Sequence, residues 1–150
     1  MYKEILVPLD GSELAELAIP HAEALGKAFG SRVTLIYVVE PVSIRKEPGI
    51  IGPTVVASLN IEEDMEAGRE YLVGVAGRFA DGETEVRTEV RHGYPASKIC
   101  DFARENGTEL IVMTTHGRSG VGRWVYGSVA DKVLHGAHIP VLLIRAQPKA

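Results

Sequence analysis

Short apolar runs alternate along the chain with segments whose apolar residues recur at helical spacing. Ile5-Leu-Val7 reads as a buried strand ended by Pro8. From Ser12 to Phe29 the residues Leu14, Leu17, Ala18, His21, Ala22, Leu25 and Phe29 share one face of a predicted helix. Ser12 is its expected N-cap, Glu13 and Glu16 suit its first turn, Pro20 should kink it, and Gly30 should stop it. Arg32 to Val39 is apolar almost throughout, as expected of a strand covered on both faces. A second helix is predicted over 58–79 through Ile61, Met65, Leu72, Val75, Ala76 and Phe79. Between Glu83 and Arg91, Val86 and Val90 alternate with charged residues, the pattern of a half-solvated edge strand. Three elements then follow Gly93: a helix over Ala96–Asn106 closed by Gly107, a strand over Glu109–Thr114, and a helix over Ser128–His135 closed by Gly136. Pro140–Ile144 is the last strand. Residues 40–57, with Pro41, Pro48, Gly49, Gly52 and Pro53, read as a long loop, and loops of that length are commonly functional or mobile.

Strands alternating with helices predict a single α/β domain, doubly wound, with a five-stranded parallel sheet and helices on both faces. Ligands of such folds sit beyond the carboxyl ends of the strands, where the strand order reverses. Three features fall at those ends: Pro8-Leu9-Asp10, the pair Val38-Val39, and the segment from Met113 to Val129. The third joins an apolar strand to a helix start through Gly117, Gly120, Gly122 and Gly127. Glycines admit a close anion to bare backbone N–H groups, and a helix start supplies partial positive charge. A phosphate-bearing ligand is therefore the first expectation.

Composition narrows the partners. The 16 basic and 20 acidic residues give a formal charge of −4, and no basic block stands out, which argues against nucleic acid. The single cysteine, Cys100, excludes an internal disulfide and a multi-cysteine zinc site, and its helical neighbours Ile99 and Ala103 mark it as a small core residue. No apolar run approaches the ~20 residues of a membrane span. No signal peptide precedes the first strand, so a cytoplasmic location is expected.

Common phosphate and hydrolase motifs fail here. Gly117 to Trp124 has the P-loop spacing but puts Arg123 at the lysine and Trp124 at the magnesium hydroxyl. Gly120-Val-Gly122 begins a dinucleotide fingerprint whose third glycine is Val125. Ser119 is not a nucleophile elbow, because Val121 replaces the closing glycine. The remaining pattern is Thr114-x2-Gly117-x9-Gly127-Ser128. On this pattern the chain resembles the universal stress protein family over nearly its whole length. The resemblance also rests on Ile5-Leu-Val-Pro-Leu-Asp-Gly-Ser12, Gly93-Tyr-Pro-Ala96, His116-Gly-Arg-Ser-Gly120, Gly127-Ser-Val-Ala-Asp-Lys-Val133 and Ile139-Pro-Val-Leu-Leu-Ile144.

The resemblance implies strand order 3-2-1-4-5, as in the adenine nucleotide alpha hydrolase-like fold, and a nucleotide-binding member with a motif like G-x2-G-x9-G-[ST]. Thr114 stands at the first glycine, where its side chain would border the ribose or phosphate. The implied site comprises Pro8, Leu9, Asp10, Val38, Met113, Thr114, His116, Gly117, Arg118, Gly127, Ser128 and Val129. ATP, ADP or AMP would be the ligand, with Mg2+ reaching Asp10 through the nucleotide. Plainer readings stand beside these. Asp10 is also a turn residue of Asp-Gly-Ser, Arg118 and Arg123 are solvated loop cations, and His116 is a lone hydrogen-bonding histidine. Ser128 with Asp131 has capping-box spacing, so Ser128 is an expected N-cap. The resemblance further implies a homodimer joined by the C-terminal strand, residues 139–145. No nucleophile–base pair or Walker lysine accompanies the loop, so a nucleotide-dependent sensor or switch, at most a slow ATPase, is expected. The alternative is a nucleotide-independent dimeric adaptor of the stress response.

Overall fold

A computed structural model describes residues 1–41, 44–45, 54–55, 60–79, 82–116 and 127–145. Strand β1 (Glu4–Leu9) shows how the layers arise. Its side chains alternate, so Ile5, Val7 and Leu9 enter one core cluster while Leu6 enters another on the opposite face. Strand β2 (Arg32–Val39) does the same with Val33 and Leu35 against Ile36, and is covered on both faces as its apolar run predicts.

Helices α1 (Glu13–Glu16), α2 (Ile19–Phe29) and α3 (Ile61–Ala76) cover the first face. Ala15, Ala18, Ile19, Ala22, Leu72 and Val75 pack there. Helices α4 (Pro95–Glu105) and α5 (Ser128–Gly136) cover the second through Ile99, Phe102, Ala103, Ala130 and Val133. With strands β5 (Glu85–His92), β6 (Leu110–Thr114) and β7 (Val141–Ile144), the main sheet is parallel throughout and ordered β5-β2-β1-β6-β7. Counting its own five strands, that is 3-2-1-4-5, the expected order. A separate antiparallel pair, β3 (Ile44–Arg45) with β4 (Thr54–Val55), lies within the segment expected as a long loop. Strand β5 is an edge, and Val86 and Val90 turn inward along it.

Three local expectations are corrected. The helix over Ser12–Phe29 is two helices, because Pro20 lacks an N–H and its ring would crowd the Glu16 carbonyl. The chain breaks after Glu16 and restarts with Pro20 in the first turn of α2, where proline is tolerated. Leu17, expected on the apolar face, is left exposed at the break, and His21 is exposed too. Second, α3 starts at Ile61, with the Asn60 side chain accepting from Glu63 N. Its buried line includes Gly68, which apolar periodicity does not find: a Cβ there would sit 2.9 Å from the Tyr37 ring. Third, Ser128 is not the N-cap of α5; Gly127 is, and no side chain caps the helix.

The expected caps elsewhere form. The Ser12 hydroxyl accepts from Ala15 N at 3.2 Å, and Gly30 closes α2 in the left-handed conformation at φ 60°. Cys100 is partly buried beside Gly136, and burial raises its thiol pKa.

Candidate functional site

The strand order reverses at β1. The chain runs from β1 to β2 and β5, then returns to β6 on β1's other side. A crevice beyond the carboxyl ends of β1 and β6 is the ligand position such a sheet offers. The register Ile5–Leu110 and Leu6–Ile111, carried upward, brings Leu9 level with Thr114. Asp10 and Thr115-His116 therefore leave the sheet side by side.

Asp10 is held by the turn that follows it. Its Oδ1 accepts from Ser12 N at 2.9 Å and from Ser12 Oγ at 2.5 Å, so Ser12 fixes Asp10 as well as capping α1. Behind it, Tyr71 is half-buried, and its pKa is raised, first by burial, then by Glu16, and least by Asp10. The Tyr71 hydroxyl is buried beside the Glu16 carboxylate, which is engaged by Arg78.

At the end of β6, Thr114 and Thr115 are both buried. Thr114 Oγ1 donates to the His116 carbonyl at 2.8 Å, and His116 Nδ1 lies 3.2 Å from Thr115 Oγ1. Leu110 and Val112 face the α1 side while Ile111 and Met113 face the α5 side. By the same alternation Thr114 belongs to the α1 side. Its side chain thus leaves the strand away from α5 and folds its hydroxyl onto its own backbone.

Gly127 closes the loop against this strand end. Its N–H donates to Thr115 O at 2.7 Å, and its carbonyl accepts from Asp131 N at 3.0 Å, opening α5. A Cβ on Gly127 would lie 2.9 Å from Thr115 O and 3.5 Å from His116 Cα, so the approach admits only glycine without movement. Having no side chain, this N-cap leaves the first-turn amides of α5 to another acceptor. Ser128 is exposed in that turn, and Val129 packs partly into the second core cluster. The result is a helix start carrying partial positive charge, set at the lip of the crevice.

On β2, Val38 packs into the second cluster and Val39 is buried; the Val39 carbonyl accepts from Gly93 N at 2.9 Å. Leu9 and Met113 are buried on opposite sheet faces, so only their backbones border the crevice. Pro8 stands in β1 level with Ile36. Pro8, Leu9, Asp10, Met113, Thr114, His116, Gly127, Ser128 and Val129 thus gather at adjoining strand and helix ends, with Val38 one strand away. Gly117 and Arg118 lie outside the described residues. Thr115, which receives Gly127, has no motif that marks it; only its position after the fully buried β6 could have signalled it.

Among the described residues no group of three or more histidine, cysteine or acidic side chains could hold a metal by itself. An open depression of about 380 Å3, lined among others by Lys3, Arg32 and Glu85, lies at the amino ends of the strands, far from the crevice. Its cations are engaged: Arg32 pairs with Glu4 at 2.6 Å and Glu85 at 2.9 Å, and Lys3 Nζ donates to Phe29 O.

Residues 1–145 match the model of the universal stress protein family. Universal stress protein MJ0531 of Methanocaldococcus jannaschii is 35% identical over 149 residues, covering 99% of this chain and 85% of its own. Among solved structures, universal stress protein UspA from Lactobacillus plantarum superposes with a TM-score of 0.75 at 26% identity, covering 96% of this chain and 98% of its own. The universal stress protein from Archaeoglobus fulgidus in complex with dAMP gives 0.68 at 23% identity, covering 95% and 98%.

Proposed function

Because the chain belongs to the universal stress protein family, we propose that it binds an adenine nucleotide across the carboxyl ends of β1, β2 and β6. The observation that carries this reading is the uncapped first turn of α5, drawn against β6 where Gly127 meets Thr115 O and no Cβ fits. Phosphate oxygens would take up the free amides there, helped by the helix dipole. The dAMP complex of the Archaeoglobus relative supports the ligand class.

The roles follow from position. Backbone groups of Leu9, Met113 and Thr114, with the Asp10 carboxylate, would hold the ribose; Pro8 and Val38 would border the base. Val129 and Ser128 would give amides to phosphate, and His116, Gly117 and Arg118 would complete the phosphate side. ATP, ADP and AMP share these contacts. Mg2+ would arrive on the phosphates and reach Asp10, since the described acidic residues form no cage of their own.

Bound nucleotide would add a bridge between the end of β1 and the start of α5 across the crevice. Such bridging suits a cytoplasmic, nucleotide-dependent sensor or switch, with hydrolysis at most slow. The edge strand β7 would pair the protein into a homodimer over residues 139–145, its Leu142 being 37% exposed. Titration calorimetry with ATP, ADP and AMP, with Mg2+, on wild type and Gly127→Val tests the reading. Heat with wild type that is lost in the variant supports it. No heat with wild type leaves the nucleotide-independent adaptor.

A further inference from the structure

Gly93-Tyr94-Pro95 has no part in the site described above, yet it stands at the same end of the sheet. Gly93 ends β5 with φ 147°, and its N–H donates to Val39 O, tying the end of β5 to the end of β2. The Lys98 side chain folds over Gly93, with Cε 2.5 Å from where a Cβ would be. Tyr94 follows at once, as the N-cap of α4.

Two structural reasons for a tyrosine there fail. It does not cap: α4 has no side-chain cap bond, and tyrosine is not among the residues that supply one. It does not pack: Tyr94 is 72% exposed. Every other described aromatic is placed against something. Tyr2 meets Phe29 edge-on at 5.4 Å, Tyr37 meets Tyr71 at 5.8 Å, Phe79 is buried, and Arg91 lies over Phe102 at 5.0 Å. Tyr94 alone among them has neither ring, cation nor core for company. A large exposed ring on the turn at the ligand end of a doubly wound sheet is placed where it could stack on a planar group.

The span agrees. From the end of β6, where α5 begins, to the end of β5 is three strand spacings, roughly 14 Å. A nucleotide lying with its phosphates on α5 and its sugar over β1 carries its base across β2 toward Tyr94. We propose that Tyr94 is a base-contacting residue, its ring stacking on the purine of the bound nucleotide and closing the crevice on the β5 side. The inference rests on the nucleotide reading above and adds to it the wall that holds the base. Stacking accepts any π-face, so Tyr94 supplies affinity for a base while leaving the choice of base to hydrogen bonds at the β1 and β2 ends.

The test is AMP affinity by calorimetry in wild type, Tyr94→Phe and Tyr94→Ala, each checked for native circular dichroism. Tyr94→Phe should bind within about twofold of wild type, because the ring is kept. Tyr94→Ala should bind about five- to a hundredfold more weakly, the loss that removal of one base–aromatic stack gives. Wild type and Tyr94→Ala binding AMP within twofold of each other overturns the role of Tyr94 and leaves the nucleotide reading intact. A wild type that binds neither AMP nor ATP overturns both. An equal loss in Tyr94→Phe and Tyr94→Ala also overturns stacking, since it would trace the effect to the hydroxyl.

Discussion

Gly127 and Thr115 meet so closely that one methyl group decides whether α5 can begin where it does. The Cβ of Gly127→Ala would press on a backbone carbonyl, which has no rotamer to escape through. We expect this substitution to cost about 1–3 kcal/mol in urea unfolding, the usual penalty of overpacking, and to weaken nucleotide binding in parallel. Gly68 poses the milder case, because its Cβ would meet the Tyr37 ring, which can shift. Alanine there recovers about 1 kcal/mol of helix propensity against a packing clash, so Gly68→Ala should lose less stability than Gly127→Ala. Tyr71 offers a prediction of opposite sign. Its hydroxyl is buried beside a Glu16 carboxylate already committed to Arg78, so Tyr71→Phe should leave stability unchanged or raise it by up to about 1 kcal/mol. A loss beyond about 1 kcal/mol would mean that Tyr71 and Glu16 bond in solution. Gly127 was legible in the sequence because the spacing of glycines marks it. Thr115, Gly68 and Tyr71 were not, since their significance lies in tertiary neighbours that no local pattern marks.

The five strands of the main sheet were read from periodicity with their order intact, because burial in a sheet imposes a period that polar loops do not carry, whereas the short β3–β4 pair carries no such signal. Helix ends were set by backbone chemistry that periodicity does not report. Pro20 does not kink one helix but separates two, and the serine expected to cap α5 lies one residue inside it. The first difference follows from a lost donor and a steric clash. The second follows from a tertiary bond: once Gly127 N is committed to Thr115 O, the helix takes its first carbonyl from Gly127. Helix α3 gives a test of element packing. Leu72 is fully buried between helix and sheet, whereas its neighbour Val73 is 64% exposed. Leu72→Ala should cost about 2–5 kcal/mol, and Val73→Ala should fall within about 0.5 kcal/mol of wild type, measured by thermal or urea unfolding. Similar losses at both positions would contradict the orientation of α3.

For the whole molecule the two sheet edges differ in kind. Strand β5 carries Glu85, Arg87, Glu89 and Arg91, joined in ion pairs along and beside the strand, and such charges discourage a second sheet from docking. Strand β7 carries Val141, Leu142, Leu143 and Ile144, none of them fully buried. An association through the sheet should therefore use β7. Light scattering at micromolar concentration should give a dimer mass for wild type and a monomer mass for Leu142→Arg. A monomeric wild type would remove the dimer from the proposal. A dimer that survives in Leu142→Arg and dissociates in a β5 variant would move the interface to the other edge.

By itself, the sequence determined the α/β class, the order of the five strands of the main sheet, the two-faced core and the family to which the chain belongs. Each of these depends on repeating local patterns or on motifs contiguous along the chain. Only the tertiary structure decided which atoms meet at the crevice. It turned Thr114 toward the α1 side, joined Gly127 to Thr115, fixed Asp10 through Ser12, and left Tyr94 exposed where β5 gives way to α4. The reason is range: a helix or strand period repeats within a few residues, whereas the crevice is assembled from chain segments more than a hundred residues apart.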